Sequence, residues 1–381
     1  MAKILTLNKI SKIGLADLPA SYIVSDDEKN PDGIMVRSAK MHDMDMPESL
    51  LAIARCGAGV NNIPLDKCAE QGIVVFNTPG ANANAVKELV VAGLLISSRK
   101  IIEADRWVQS MKGTEDVSKT VEKGKSTYAG PEIIGKTLGI IGLGAIGVLV
   151  AEAALALGMT VYGYDPFLSV KGALALDSRV KVVENIDDIF AVSDYITIHV
   201  PATPETKNIF CKENLAKCKD GVRILNFARG ELTNSADMAE AVTSGKVAKY
   251  ISDFADDYLL GVENIICLPH LGASTPEAED NCAAMAAREM TDYIENGIIV
   301  NSVNYPRLTM GRTAGKARVC VLYKAESDAF AKALALLGGR VAQSANAVRG
   351  AYGYAIIDAD ATEADKTAVE AVEGVIKVRV I

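Results

Sequence analysis

No stretch of the 381 residues approaches the ~20 consecutive apolar positions needed to cross a bilayer, so no membrane span is expected. The first residues, Met1-Ala2-Lys3-Ile4-Leu5-Thr6, lead into a short strand pattern instead of an apolar leader, and the expected location is the cytoplasm. The seven cysteines (Cys56, Cys68, Cys211, Cys218, Cys267, Cys282 and Cys320) contain no C-x-x-C pair and lie mostly among apolar neighbours. That pattern reads as reduced thiols, with no zinc or other metal site. A surplus of positive charge is missing as well: 40 Lys and Arg stand against 48 Asp and Glu, for a net charge of -8. Such a chain has no general attraction for nucleic acid or anionic membranes, and any anionic substrate must be held by a local cluster of cations. Low-complexity tracts and internal repeats are absent, which excludes fibrous and disordered classes. Small molecules remain as the expected partners.

Single hydrophobic cores stop growing at roughly 250 to 300 residues, so two or three domains are expected. From Lys3 to about Ser97, short apolar runs (Ile4 to Leu7, Gly33 to Val36, Leu51 to Ala54, Ile73 to Phe76) alternate with helix-like stretches, as in a parallel α/β sheet. One long helical pattern, Ala85 to Gln109, leads to a second unit. Its strands read Leu138 to Ile141, Thr160 to Tyr164, Lys181 to Val183, Tyr195 to His199, Arg223 to Phe227, Ala248 to Ser252 and Asn264 to Cys267. Ser274-Thr275-Pro276-Glu277 reads as a capping box opening a helix to about Asn296. The stretch 306–317 reads as a linker, and from Arg318 the order is strand, helix, strand, strand, helix, strand. The expected fold is α/β: two doubly wound, Rossmann-like parallel-sheet domains followed by a ferredoxin-like βαββαβ domain over 318–381.

Gly142-Leu143-Gly144-Ala145-Ile146-Gly147 follows an apolar strand and opens a helix, and Asp165 closes the next strand. The glycines allow a tight turn and close approach of backbone to a pyrophosphate, whose charge the helix N-terminus favours. A carboxylate at Asp165 accepts from the ribose hydroxyls and repels a 2′-phosphate, so NAD is expected over NADP. Polar residues at the carboxyl ends of such strands are the candidates for chemistry. Arg229 offers a planar fork to a substrate carboxylate. An imidazole at His270 suits exchange of a hydroxyl proton. His199, before Val200 and Pro201, shapes the cofactor pocket, and His42 reads as a surface-loop residue.

Gly135 to Gly147, Asn226 to Gly230 and Pro269-His270-Leu271-Gly272-Ala273-Ser274-Thr275 resemble the D-isomer-specific 2-hydroxyacid dehydrogenases. Val36-Arg37-Ser38, Gly57 to Asn62 and Asn77-Thr78-Pro79 extend the resemblance over about the first 305 residues, and within the family the chain is most like the phosphoglycerate dehydrogenases. The resemblance implies a substrate-binding domain over 1–97 and 285–305 and an NAD domain over 98–284. It also implies oxidation of 3-phosphoglycerate to 3-phosphohydroxypyruvate, at the start of serine biosynthesis. Arg229 would hold the carboxylate and His270 would be the acid/base. Ala58 and Gly59 would offer backbone amides, and Arg37 with Ser38 would bind the phosphate end. Val200, Pro201, Phe227, Ala228, Asp253, Gly272 and Ala273 would complete the cofactor site. The family's glutamate partner of the histidine is missing from Asp253-Phe254-Ala255-Asp256-Asp257-Tyr258, where Asp257, or Asp256, takes its place.

The tail resembles an ACT domain, whose first loop, Tyr323 to Asp328, lacks the serine-sensing pattern, so a dimerisation or packing role stands beside an effector role. A homodimer, or a homotetramer, is the family expectation. A glyoxylate or hydroxypyruvate reductase and a non-catalytic NADH-sensing interaction protein remain open as alternatives.

Overall fold

A computed structural model describes residues 1–381, the side chain of residue 171 excepted. The first sheet contains β1 (Lys3–Leu7), β2 (Ile23–Ser25), β3 (Gly33–Val36), β4 (Ala52–Arg55) and β5 (Val74–Phe76) in the order β2-β1-β3-β4-β5. Every neighbouring pair is parallel, the 2-1-3-4-5 order of a doubly wound sheet. Strands β3 and β5 are buried at every position, which is why they read as unbroken apolar runs: both faces of a parallel sheet are covered.

The second sheet holds β6 (Thr137–Ile141), β7 (Thr160–Tyr164), β8 (Lys181–Val183), β9 (Tyr195–Ile198), β10 (Val222–Asn226), β11 (Val247–Ser252) and β12 (Ile265–Cys267). Their order, β12-β11-β10-β9-β6-β7-β8, reverses between β6 and β9, and ligands of such sheets bind beyond the carboxyl ends at that switch point. The single helix expected over Ala85 to Gln109 is two, Ala83–Ser98 and Ile101–Gln109. The break falls at Lys100, whose backbone leaves the helical region with ψ 51°, while the ladder still holds through the Arg99 N–H to the Leu95 carbonyl. The first of these helices packs Val86, Val90 and Leu94 into one core with Leu138, Leu225 and Phe227, so it belongs with the second sheet rather than the first.

The third sheet is antiparallel: β13 (Ala317–Lys324), β14 (Val341–Arg349), β15 (Tyr352–Ala359) and β16 (Val375–Val380), ordered β14-β15-β13-β16. Alternate residues of β13 serve two layers, as the period of 2 requires. Val319, Val321 and Tyr323 pack on helices Ala329–Leu337 and Glu363–Glu370. Cys320 and Leu322 share a core with Phe76, Tyr293 and Tyr305. The stretch 306–317, read as a linker, is tied to its neighbours by hydrogen bonds. Leu308 exchanges backbone bonds with Ile299, and the carbonyls of Met310 and Gly311 accept from Arg318.

The chain forms two compact units, one of residues 1–82 and 276–381 and one of residues 83–275. Helix Pro276–Asn296 opens the second segment of the first unit. Its start at Pro276 leaves Ser274 outside the expected capping box, and the Ser274 hydroxyl donates instead to the His270 carbonyl at 3.3 Å.

Candidate active site

The second unit gathers its candidate residues at one end of one sheet. Gly142 follows β6 with φ 96°, a left-handed conformation that glycine adopts freely, and a Cβ there would stand 2.7 Å from the His199 carbonyl oxygen. Gly147 lies against that same turn, where a Cβ would sit 2.0 Å from the Gly142 carbonyl oxygen. Gly144 differs: nothing lies within 4 Å of the position its Cβ would take. It caps helix Ala145–Ala156 without a side-chain hydrogen bond, so the amides of Ala145 and Ile146 begin a helix beside open space. Asp165, after β7, accepts from Leu143 N–H at 3.0 Å through one oxygen and from Phe167 N–H at 2.9 Å through the other, which fixes the carboxylate over the glycine turn. Leu143, Gly144, Ala145, Asp165 and Phe167 border a cavity of about 380 Å³. A backbone open to a pyrophosphate, with a pinned carboxylate at its edge, fits a dinucleotide with free ribose hydroxyls. Gly147→Ala forces its methyl into the Gly142 carbonyl. It should weaken NADH binding by about tenfold or more, read by NADH fluorescence titration, with the fold kept by circular dichroism.

His199 follows β9, ahead of Val200 and Pro201, with Nε2 3.0 Å from Thr197 Oγ1 and with Nδ1 buried and unpartnered. Burial pushes its pKa down to about 3, so the ring is neutral and does no acid/base work near pH 7. Arg229 stands beyond β10 on a loop that buried Asn226 organises. Asn226 Oδ1 accepts from the amides of Ala228 and Arg229, while Nδ2 donates to the Arg229 carbonyl at 2.8 Å and to Thr233 Oγ1 at 3.2 Å. One Arg229 nitrogen donates to the Ala228 carbonyl at 2.6 Å, next to half-buried Ala228 and buried Phe227.

His270 is exposed and has φ 56°, uncommon for a residue with a Cβ. Asp253, only 2% exposed, holds that loop: its two oxygens accept from Leu271 N–H at 2.9 Å and Gly272 N–H at 2.6 Å, and its carbonyl accepts from His270 N–H. Asp253 thus positions the histidine loop, a job the sequence did not disclose. The imidazole packs at a tilt on Phe254, with centroids 5.0 Å apart. Among the described residues no carboxylate makes an ion pair with it. Asp256 caps its own turn by accepting from the amides of Tyr258 and Leu259, and Asp257 is exposed; neither is brought to the ring. Ala273 follows, half-buried.

In the first unit, Arg37 follows β3 and Arg55 ends the adjacent parallel strand β4, so two guanidinium groups leave the same end of the sheet. Arg55 Nε donates to the Arg37 carbonyl at 3.1 Å, and its guanidinium fills the space that Gly57, lacking a side chain, leaves open. Arg37 pairs with Glu279 at 2.7 Å. The amides of Ser38 and Ala39 both donate to Asn8 Oδ1. Ala58, exposed, accepts from Asn77 Nδ2 through its carbonyl, and half-exposed Gly59 follows it. Arg55 escaped sequence reasoning, although its place at the carboxyl end of a strand, before Cys56-Gly57-Ala58-Gly59, is the signal that marks such residues.

Residues 91–272 match the family model described as D-isomer specific 2-hydroxyacid dehydrogenase, NAD binding domain. The D-3-phosphoglycerate dehydrogenase of Bacillus subtilis (strain 168) is 34% identical over 330 residues, 81% of this chain and 60% of that protein. That of Archaeoglobus fulgidus is 37% identical over 287 residues, 73% of this chain and 52% of its own length. The chain thus spans little more than half the length of these relatives. The apo D-mandelate dehydrogenase of Rhodotorula graminis superposes with TM-score 0.68 at 20% identity, covering 82% of this chain and 99% of that one, a likeness of fold.

Proposed function

From the match of residues 91–272 to the NAD-binding domain of the D-isomer specific 2-hydroxyacid dehydrogenases, we propose that the chain belongs to that family and oxidises 3-phospho-D-glycerate to 3-phosphohydroxypyruvate with NAD, the first step of serine biosynthesis. The observation that carries the substrate is the pair of arginines at the ends of β3 and β4, since a phosphate needs local cations on a chain of net charge -8. Relatives named D-3-phosphoglycerate dehydrogenase support the same reading.

NAD, when bound, accepts the hydride from substrate C2. The residues of the chain do the rest. Arg229 holds the substrate carboxylate with its fork, preorganised by Asn226. His270 takes the C2 hydroxyl proton as hydride leaves, and its loop, anchored by Asp253 and Phe254, keeps the imidazole in place. Amides at Ala58 and Gly59 orient the carboxylate end, and Arg37 with Arg55 receives the phosphate. The tail from 318 takes the role of an ACT-like module, and the protein works as a homodimer in the cytoplasm.

Arg37→Gln tests the substrate assignment. KM for 3-phosphoglycerate should rise about tenfold, while the poor turnover of D-glycerate, which has no phosphate, stays unchanged. Glu279→Gln, which frees Arg37 from its ion pair, should lower that KM. Equal effects on both acids would remove Arg37 from the phosphate subsite and favour a glyoxylate or hydroxypyruvate reductase.

A further inference from the structure

Four polar side chains are buried below the carboxyl ends of β10 and β11 in the second unit: Asn226, Thr233, Tyr250 and Ser252. Their surroundings are apolar, since Tyr250 shares a core with Ile224, Leu232, Met238 and Leu259. Polar groups in such a place cost stability unless each finds a partner, and here they find one another. The Asn226 amide nitrogen donates to Thr233 Oγ1 at 3.2 Å and to the Tyr250 hydroxyl at 3.4 Å, and the Thr233 and Tyr250 hydroxyls lie 3.0 Å apart. Ser252, two residues after Tyr250 and so on the same face of β11, completes the group. Burial raises the pKa of the Tyr250 hydroxyl, and hydrogen bonds from Ser252, Thr233 and Asn226 act against that rise.

Each end of the group leads to a loop that carries a proposed functional side chain. On one side Asn226 holds the amides of Ala228 and Arg229 and the Arg229 carbonyl. On the other, Ser252 Oγ accepts from Phe254 N–H at 3.1 Å, and the Phe254 ring is the surface on which His270 packs. The strand ends are also joined directly, by the Asp253 N–H on the Asn226 carbonyl at 3.1 Å. Buried polar groups satisfied in this way fix one arrangement of the chain around them.

We propose that Tyr250 is a positioning residue that sets Arg229 and His270 as a pair, its hydroxyl joining the Asn226 loop to the segment from Ser252 to Phe254. The proposal rests on the roles assigned above to Arg229 and His270.

Tyr250→Phe removes the hydroxyl and keeps the ring. In steady-state assays with 3-phosphoglycerate it should lower kcat/KM about tenfold, as small misplacements of reacting groups do, while NADH affinity by fluorescence titration stays within about twofold. The two arms should separate. Thr233→Val, which cuts toward Arg229, acts mainly on KM, and Ser252→Ala, which cuts toward His270, acts mainly on kcat. Tyr250→Phe joined to Thr233→Val should be little worse than the worse single variant, because both break one group. A purely structural Tyr250 would lower the urea midpoint of the second unit and leave kcat and KM per folded molecule at wild-type values, and that result overturns the proposal.

Histidine ring resonances give a readout that needs no turnover. The chain has three histidines, His42, His199 and His270, so the signals are few and single substitutions assign them. Tyr250→Phe should move the His270 signals, through the Phe254 ring beside them, and leave those of His42 in place. Unmoved His270 signals overturn the proposal. If the wild-type chain forms no NADH from 3-phosphoglycerate, it is the dehydrogenase reading that fails, and the ring signals still decide whether Tyr250 positions the histidine loop.

Discussion

His270→Ala should lower kcat by about 10²–10⁴-fold, the range that a positioned acid/base contributes. NADH affinity should change little, because the proposed nucleotide turn is Gly142 to Gly147 with Asp165, which does not include the imidazole. The separation of the two effects is the point of the experiment, and stopped-flow turnover beside NADH fluorescence measures both. The left-handed backbone at His270 costs of order 1 kcal/mol or more, and the two Asp253 bonds to the following amides are what over-determine it. Asp253→Asn keeps the shape of that anchor but replaces one acceptor oxygen with a donor facing an N–H, so it should lose turnover by a route that leaves the imidazole present. Asp257→Asn should alter the pH profile of turnover little, because the exposed Asp257 carboxylate is not brought to the ring. A His270→Ala enzyme with near-normal turnover would remove the histidine from the chemistry.

The largest effect on stability should come from Arg318→Met. With the guanidinium gone, Asp358, 1% exposed, is left as an uncompensated buried carboxylate and three backbone carbonyls lose their donor. Breaking a buried pair in this way costs about 3–5 kcal/mol, measurable by urea unfolding of the first unit. The double variant Arg318→Met, Asp358→Leu should regain a large part of the loss, because the stranded charge is gone too. Acid should act on the same pair. Burial by itself pushes the Asp358 carboxyl up, yet hydrogen bonds from Arg318, Gln343 and the Thr313 amide outweigh that and hold it at about 2, below its ordinary 3.8. A depressed carboxyl stabilises the fold fully above its unfolded pKa and loses that contribution as pH falls through the folded one, so the loss belongs between about pH 4 and pH 2. The double variant should not show this step.

The nucleotide half of the molecule was nearly transparent to sequence. Its strands announce themselves as apolar runs bounded by glycine, and the run from Gly142 to Gly147 followed by Asp165 encodes both the turn and the acid that faces it. Strand β2 was invisible because it has three residues with Ile23 and Val24 largely exposed, so no buried face leaves a periodic trace. The break between helices Ala83–Ser98 and Ile101–Gln109 falls at non-helical Lys100, and no glycine or proline marks it in the sequence. The βαββαβ order of the tail was legible from its alternation, but the second function of that alternation was not. Whether Cys320 and Leu322 of β13 face solvent, a partner or the core around Phe76 and Tyr293 is decided by long-range packing that no local pattern carries. Arg55 and Asp253 belong to the same class: their types fit several roles, and only their partners, the Gly57 turn and the amides after His270, say which one they fill.

NADH formation by the purified chain with NAD and 3-phosphoglycerate, run beside D-glycerate, tests the central claim most directly. The account predicts turnover that is strong with the phosphorylated acid, weak without the phosphate and abolished in His270→Ala. Tight NADH binding with no turnover on either acid would contradict it and would identify the chain as a nucleotide-responsive scaffold.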